Sequence, residues 1–288
     1  MKRFVSMMVV TTLLVALTGC GVNTNTDKKA ILLVSFGSSF IENRQASIDA
    51  TEDAIAEAFP EYDKFTAFTS QIIIDIYENR DEITYFNVAQ AMEKIKKEGY
   101  GEVLVVPTHV INGEEYDQMM GEIEPFSEVF ANIIISHPLL THQSDYKRVA
   151  DAIASELPDV DEKTAVVLMG HGTHHHANSA YAALDYVFKH EVNTNIYVGT
   201  VEGTPDFDNV VKDLEGKGYE KVLLMPLMIV AGDHAHNDMA GDQEDSWKLM
   251  FKSLGYDVET IMKGMGELPA IQNLFIEHVE EALADQDV

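Results

Sequence analysis

Positive charge is scarce in this chain: 20 lysines and arginines stand against 48 aspartates and glutamates, for a net charge of −28. Nucleic acid is thereby excluded as a partner, because contacts to phosphate require lysine and arginine. The same field favours divalent cations near the surface, although acid spread this evenly serves mainly to keep the protein in solution. Cys20 is the sole cysteine, so no intramolecular disulfide can form. No G-x-x-x-x-G-K-[ST] sequence occurs, which leaves P-loop ATP use without support. A G-x-S-x-G elbow and a cysteine placed as nucleophile are also absent. No apolar run reaches the roughly 20 residues that a bilayer-spanning helix needs.

The amino terminus carries a different message. Lys2 and Arg3 precede an apolar stretch at residues 4–17, which ends on Leu17-Thr18-Gly19-Cys20. This is the layout of a secretory signal peptide, closing on a sequence that looks like a bacterial lipobox. We therefore expect a signal over residues 1–19, acylation of Cys20, and a polar tether over 20–28. Such a protein is exported and lipid-anchored on the periplasmic or cell-surface side without spanning the membrane. Loss of Lys2 and Arg3 with the signal takes the net charge from −28 to −30.

What remains is rich enough in apolar residues to bury a core, and its pattern is α/β. Valine-, isoleucine- and leucine-rich runs at residues 30–36, 102–107, 132–136, 165–169, 195–199 and 221–226 predict strands. Amphipathic stretches at 46–59, 87–98, 146–157, 177–189 and 206–217 predict the helices between them. Continuous apolar strands alternating with helices indicate parallel sheets covered on both faces. Gly99 and Gly218 each follow a lysine-rich last turn, as left-handed helix caps do.

The chain also repeats itself. Residues 97–107 (KEGYGEVLVVP) parallel 216–226 (GKGYEKVLLMP), and 33–37 (LVSFG) parallel 168–172 (LMGHG) in the same order. The loops after the first pair match as well, Asn112-Gly113-Glu114-Glu115 against Ala231-Gly232-Asp233-His234. We expect two similar lobes, 29–140 and 141–288, with the last helix returning to the first lobe and a cleft at the carboxyl ends of the strands.

Ionisable residues gather at strand ends of the second copy. One strand delivers His171, followed by His174, His175 and His176; the next delivers Glu202; a third delivers His234 and His236. In a parallel sheet these loops share one edge. A His/Glu/His set suits borderline divalent ions such as Co, Fe, Ni or Zn. His236 competes with His234 for the third place, and at least two of His174, His175 and His176 read better as solvated loop residues.

These residues resemble the class II tetrapyrrole chelatases, specifically the anaerobic sirohydrochlorin cobaltochelatase (CbiK) type. The similarity runs through residues 34–39 (VSFGSS) with Arg44 downstream, 107–115 (PTHVINGEE), 169–173 (MGHGT) with His175, 199–203 (GTVEG) and 230–239 (VAGDHAHNDM). It covers essentially all of the chain after the tether. The resemblance implies two ferrochelatase-like lobes, with sirohydrochlorin or a related tetrapyrrole bent in the cleft. It implies ATP-independent insertion of Co2+, with Fe2+ and Ni2+ as alternative ions. It places the metal on His171, Glu202 and His234. We assign His171 as leading base, and we expect the substrate against Ser35, Phe36, Gly37, Ser38, Arg44 and His109, where Arg44 and the backbone N–H groups around Gly37 and Ser38 can receive its carboxylates. Corrin synthesis is ordinarily cytoplasmic, so an export signal points to another use, such as iron loading. An exported lipoprotein that carries a metal or tetrapyrrole without turnover is the alternative. Oligomeric state is left open, a homo-oligomer being compatible.

Overall fold

The computed structural model describes residues 25–192 and 195–287. The proposed signal peptide, Cys20 and the start of the tether lie outside the described residues. Among the described residues eight strands form: β1 (Asn25–Ser35), β2 (Asp63–Phe68), β3 (Tyr100–Pro107), β4 (Asn132–Ile135), β5 (Thr164–Gly170), β6 (Ile196–Thr200), β7 (Lys221–Pro226) and β8 (Asp257–Thr260). All pairings are parallel, in two four-stranded sheets ordered β2-β1-β3-β4 and β6-β5-β7-β8. Renumbered from one, the second order is the same as the first. The repeat read from the sequence is therefore a repeat of topology, and the α/β expectation holds.

Ten α-helices among the described residues accompany the strands: α1 (Ile41–Arg44), α2 (Ala50–Ala58), α3 (Gln71–Asp81), α4 (Val88–Lys97), α5 (Glu114–Ile123), α6 (Gln143–Glu156), α7 (Ser179–Val187), α8 (Phe207–Leu214), α9 (Trp247–Ser253) and α10 (Pro269–Ala284). Local chemistry sets several ends. Asn87 and Gln90 form a capping box at α4, and Asp206 with Asn209 does the same at α8. Gly99 and Gly218 adopt positive φ (80° and 79°), the left-handed conformation expected of them.

Three sequence expectations need correction. β2 and β8 were not anticipated, because both are edge strands with charge on the exposed side (Asp63, Lys64, Asp257, Glu259) and no continuous apolar run. The helix expected over 46–59 starts at Ile41 and passes through a π-helical turn at Gln45–Asp49 before α2. The segment expected as tether is already strand from Asn25, which pairs with Tyr100.

Strand alternation sorts the core into layers. Ile31, Leu33, Leu104, Val106, Val166, Leu168, Leu223 and Met225 point into one cluster between the two sheets, shared with α6, α7 and α10. Their neighbours in sequence point outward, toward α4 and α5 in the first half and α8 and α9 in the second. α10 packs against both α6 and α2, joining the halves. The turn before it is bedded on the first half. Thr51 Oγ1 donates to Gly266 O (3.1 Å), and a Cβ on Gly266 would come within 2.8 Å of Ser47 O. The carboxyl edges of both sheets are thereby held in one assembly.

One buried acid in this frame gives a test. Glu52 on α2 is 3% exposed, with Lys64 Nζ 3.7 Å away, and burial pushes its carboxyl up to about 8. The fold keeps a proton that the unfolded chain releases. The site therefore favours the fold fully below the ordinary carboxylate range, and that contribution is lost as pH rises to about 8. Glu52→Gln should melt close to the wild type at pH 5 and at progressively higher temperature than the wild type by pH 8. A difference in melting temperature that does not change with pH would contradict this.

Candidate metal centre

The centre is built by backbone before side chains enter. β5 and β6 run in register to Gly170 and Thr200, and their ladder continues past the last residues. Val201 N donates to Gly170 O (3.0 Å) and Glu202 N to His171 O (2.8 Å). His171 and Glu202 thus leave neighbouring strands side by side. Gly172 turns away with φ +80°, and a Cβ there would sit 2.7 Å from Gly203 N and 2.9 Å from the Glu202 carbonyl carbon. Glycine is required here twice over, by φ and by contact. Asn178 then clamps the two loops: its Oδ1 accepts from Thr173 N (3.0 Å) and its Nδ2 donates to Thr204 O (2.8 Å). Behind them lies the Tyr181 ring, 2.5 Å from where a Gly170 Cβ would be; burial pushes its hydroxyl up to about 12.

β7 supplies the third group. Leu227 N donates to Met169 O (2.8 Å), so this loop also leaves beside β5. It reaches His234 immediately before a π-helical turn, Ala235–Met239. That turn brings Asp238 Oδ2 to 2.6 Å from His234 Nδ1.

The three side chains converge. One donor atom from each of His171, Glu202 and His234 lies within 4.8 Å of the others. The two imidazole rings are 4.4 Å apart, centre to centre, at 88°. Both histidines are half-buried, while Glu202 is exposed. The tautomers follow from the partners. His171 Nδ1 lies 2.7 Å from Gly172 O, which can only accept, so Nδ1 carries the proton and Nε2 keeps its lone pair. The Asp238 carboxylate makes the same assignment for His234. Two imidazole nitrogens and one carboxylate form a set that suits a borderline divalent ion.

The remaining histidines stand apart. His175 has both nitrogens engaged: Nδ1 accepts from Ala177 N (3.3 Å) and Nε2 faces Asp117 Oδ2 (3.3 Å) across from α5. His174 and His176 are exposed, the latter's ring 3.9 Å from that of His175. His236 lies flat on Phe40 of the first half, 4.8 Å between centres and 4° between planes. Of His234 and His236, His234 is the one that lies with His171 and Glu202.

The first half repeats the scaffold with other side chains. Thr69 N donates to Ser35 O (2.9 Å) and Ser70 N to Phe36 O (3.3 Å), the counterparts of the bonds at Gly170 and His171. Gly37 matches Gly172, with φ +94°. Phe36 therefore occupies the position of His171, and Ser70 that of Glu202. Phe36 is 47% exposed. Ser38 is buried, with Oγ 3.6 Å from where a Gly232 Cβ would stand, so this loop meets the one carrying His234. Ser35 is buried, its Oγ without a partner. Arg44 is buried too: it donates to Tyr85 Oη (2.7 Å), pairs with Asp49 (3.2 Å) and lies over the Tyr77 and Tyr85 rings. It braces the first half instead of presenting its charge. His109 is buried with both ring nitrogens unpartnered, and burial pushes it down to about 4, a neutral imidazole at neutral pH.

Sequence reasoning did not single out Asp238 or Asn178. Asp238 had a signal, the four-residue spacing from His234 that places two side chains on one helical face. Asn178 had none, since its role depends on where two loops cross.

Comparison with known proteins identifies the family. A family model described as cobalt chelatase (CbiK) matches residues 29–284. A sirohydrochlorin cobaltochelatase from Salmonella typhimurium is 40% identical over 256 residues, spanning 89% of this chain and 97% of that protein. Sirohydrochlorin cobaltochelatase CbiKC from Nitratidesulfovibrio vulgaris is 33% identical over 267 residues, spanning 90% and 92%. Among solved structures, SirB from Bacillus subtilis with Fe3+ shares the fold at a TM-score of 0.61 and 15% identity, covering 90% of this chain and 97% of that one. CbiX, described as the terminal enzyme of siroheme biosynthesis in denitrifying bacteria, does so at 0.51 and 15%, covering 88% and 99%. This chain belongs to the cobalt chelatase (CbiK) family.

Proposed function

We propose that this protein is a sirohydrochlorin cobaltochelatase that inserts Co2+ without ATP. The convergence of His171, Glu202 and His234 within 4.8 Å carries the reading, joined to a family whose curated relatives bear that activity in their names. The donor set also admits Fe2+ and Ni2+, since affinity orders for such sites are overridden in cells by supply.

Metalation needs two pyrrole N–H protons to leave as a partly dehydrated ion enters one face of the ring. Three protein donors can hold the incoming ion while leaving coordination positions for pyrrole nitrogens. The two histidines differ in what stands behind them. A proton taken up at His234 Nε2 is balanced by the Asp238 carboxylate at Nδ1, whereas His171 has only a neutral carbonyl there. We therefore move the role of leading base from His171 to His234, and leave His171 with Glu202 to retain the ion. Opposite them, exposed Phe36 offers a ring face to the macrocycle. Ser38, beside the His234 loop, belongs to the same wall, and Gly37 shapes it. Arg44, Ser35 and buried, neutral His109 support this wall from within.

We further infer that the enzyme works outside the cytoplasmic membrane, tethered through lipid on Cys20, from the Leu17–Cys20 sequence and the preceding basic and apolar segment.

Three outcomes are expected. His171→Ala and His234→Ala should each lower cobalt insertion about 10²–10⁴-fold, read from the absorption bands of sirohydrochlorin mixed with Co2+ and apo-protein. Stoichiometric binding by the wild type with no acceleration over the free reaction would sink the enzyme assignment. Asp238→Ala should weaken Co2+ binding to the macrocycle-free protein about 10–100-fold while leaving the melting temperature nearly unchanged; unaltered Co2+ affinity would remove Asp238 from the centre. Cys20→Ser should abolish labelling by radioactive palmitate and release the protein from membranes, and retention on the membrane would refute the anchor.

A further inference from the structure

A macrocycle bordered by carboxylates has to settle into a protein of net charge −28, so the positive groups at the cleft matter more than their number. The segments leaving the carboxyl ends of the eight strands are residues 36–40, 69–70, 108–113, 136–142, 171–178, 201–206, 227–246 and 261–264. Among all of them there is one lysine or arginine, Lys263.

Its position is held by backbone. Ile261 N donates to Leu224 O (2.8 Å), Met265 N to Met228 O (2.8 Å) and Gly266 N to Ile229 O (2.9 Å). This segment therefore runs along the loop that ends in His234. Between those bonds, Gly264 is pressed on that loop so closely that a Cβ would meet Ile229 O at 2.3 Å and Val230 Cα at 2.8 Å. Lys263 is the residue immediately before this contact. It is exposed and makes no ion pair with any described residue. The nearby Glu267 carboxylate accepts from Gly264 N (2.8 Å).

Other cations near the rim are committed. Arg44 is buried against Tyr85 and Asp49. Arg80 grips Asp81 and donates to Ser39 O (3.0 Å). Lys248 is paired with Asp242 (2.8 Å).

We propose that Lys263 anchors the substrate: its ammonium pairs with a peripheral carboxylate of the macrocycle and fixes the rotation of the ring over His171, Glu202 and His234. This rests on the chelatase reading. A lysine suits the task because its point charge and three rotatable donors do not demand one carboxylate geometry. Its action is local, so it works within a repulsive overall field.

The test uses the full chain and metal-free sirohydrochlorin, titrated by its absorption bands. Lys263→Ala should weaken binding about three- to thirtyfold, Lys263→Glu should weaken it further, and Lys263→Arg should restore most of the affinity. Lys97→Glu makes the same change in net charge at the end of α4, ahead of β3 at the amino edge of the other sheet, and should have little effect. Co2+ affinity of Lys263→Ala, measured without macrocycle, should stay near that of the wild type. A macrocycle with esterified carboxylates should bind wild type and Lys263→Ala alike. Lys263→Glu binding as tightly as the wild type, or Lys97→Glu weakening binding as much, would overturn the proposal. Wild-type protein that binds the macrocycle without metalating it would sink the chelatase reading instead, and the Lys263 comparison would still be read from binding.

Discussion

Two backbone hydrogen bonds, Val201 N to Gly170 O and Glu202 N to His171 O, are the constraint on which the centre depends. They prolong the β5–β6 ladder beyond the strands, so that His171 and Glu202 emerge together instead of diverging into separate loops. The prolongation is tolerable only because Gly172 can turn at φ +80° with no Cβ to strike Gly203. Side-chain chemistry is then added to a platform that is already rigid. Preorganisation of this kind keeps the three donor groups in place before any ligand arrives.

The same platform occurs in the first half with the chemistry removed. Gly37, Ser35 and Phe36 reproduce the turn and the ladder bonds, yet an exposed phenyl ring stands where the second half has imidazole. One half presents donors and the other presents an aromatic wall. That asymmetry fits the proposed reading, a flat ligand with one face toward a metal. The polar groups retained in the first half, Arg44 with Tyr77 and Tyr85 among them, are directed inward and brace the loop from behind. The shared core between the sheets and α10 keeps both platforms in a single frame.

Charge acts on two scales here. The acidic surface as a whole draws divalent ions and repels a polycarboxylate, and no rearrangement of dispersed acids would alter that. Local geometry has to act against it. The one lysine in the strand-end segments stands beside the loop of His234, at the point where Gly264 lets two segments touch. A cation that pairs with no described residue acts at short range, whereas salt screens a diffuse field beyond about 10 Å.

By itself the sequence determined the fold class, the duplication, and which strand ends carry ligand-type residues. Those features are written in short-range patterns: apolar runs, glycine caps, and residues 97–107 matching 216–226. Edge strands β2 and β8 were illegible because their charged outer faces hide the apolar period. Tertiary structure decided the rest. It set His234 beside His171 and laid His236 on Phe40, at either side of the start of one π-turn. It buried Arg44 and His109, and it engaged both nitrogens of His175. It brought in Asp238, Asn178 and Lys263, whose parts depend on which loops lie side by side. Strand-end order can be read along a chain, but the direction of a side chain after the strand has ended is set by packing between segments distant in sequence.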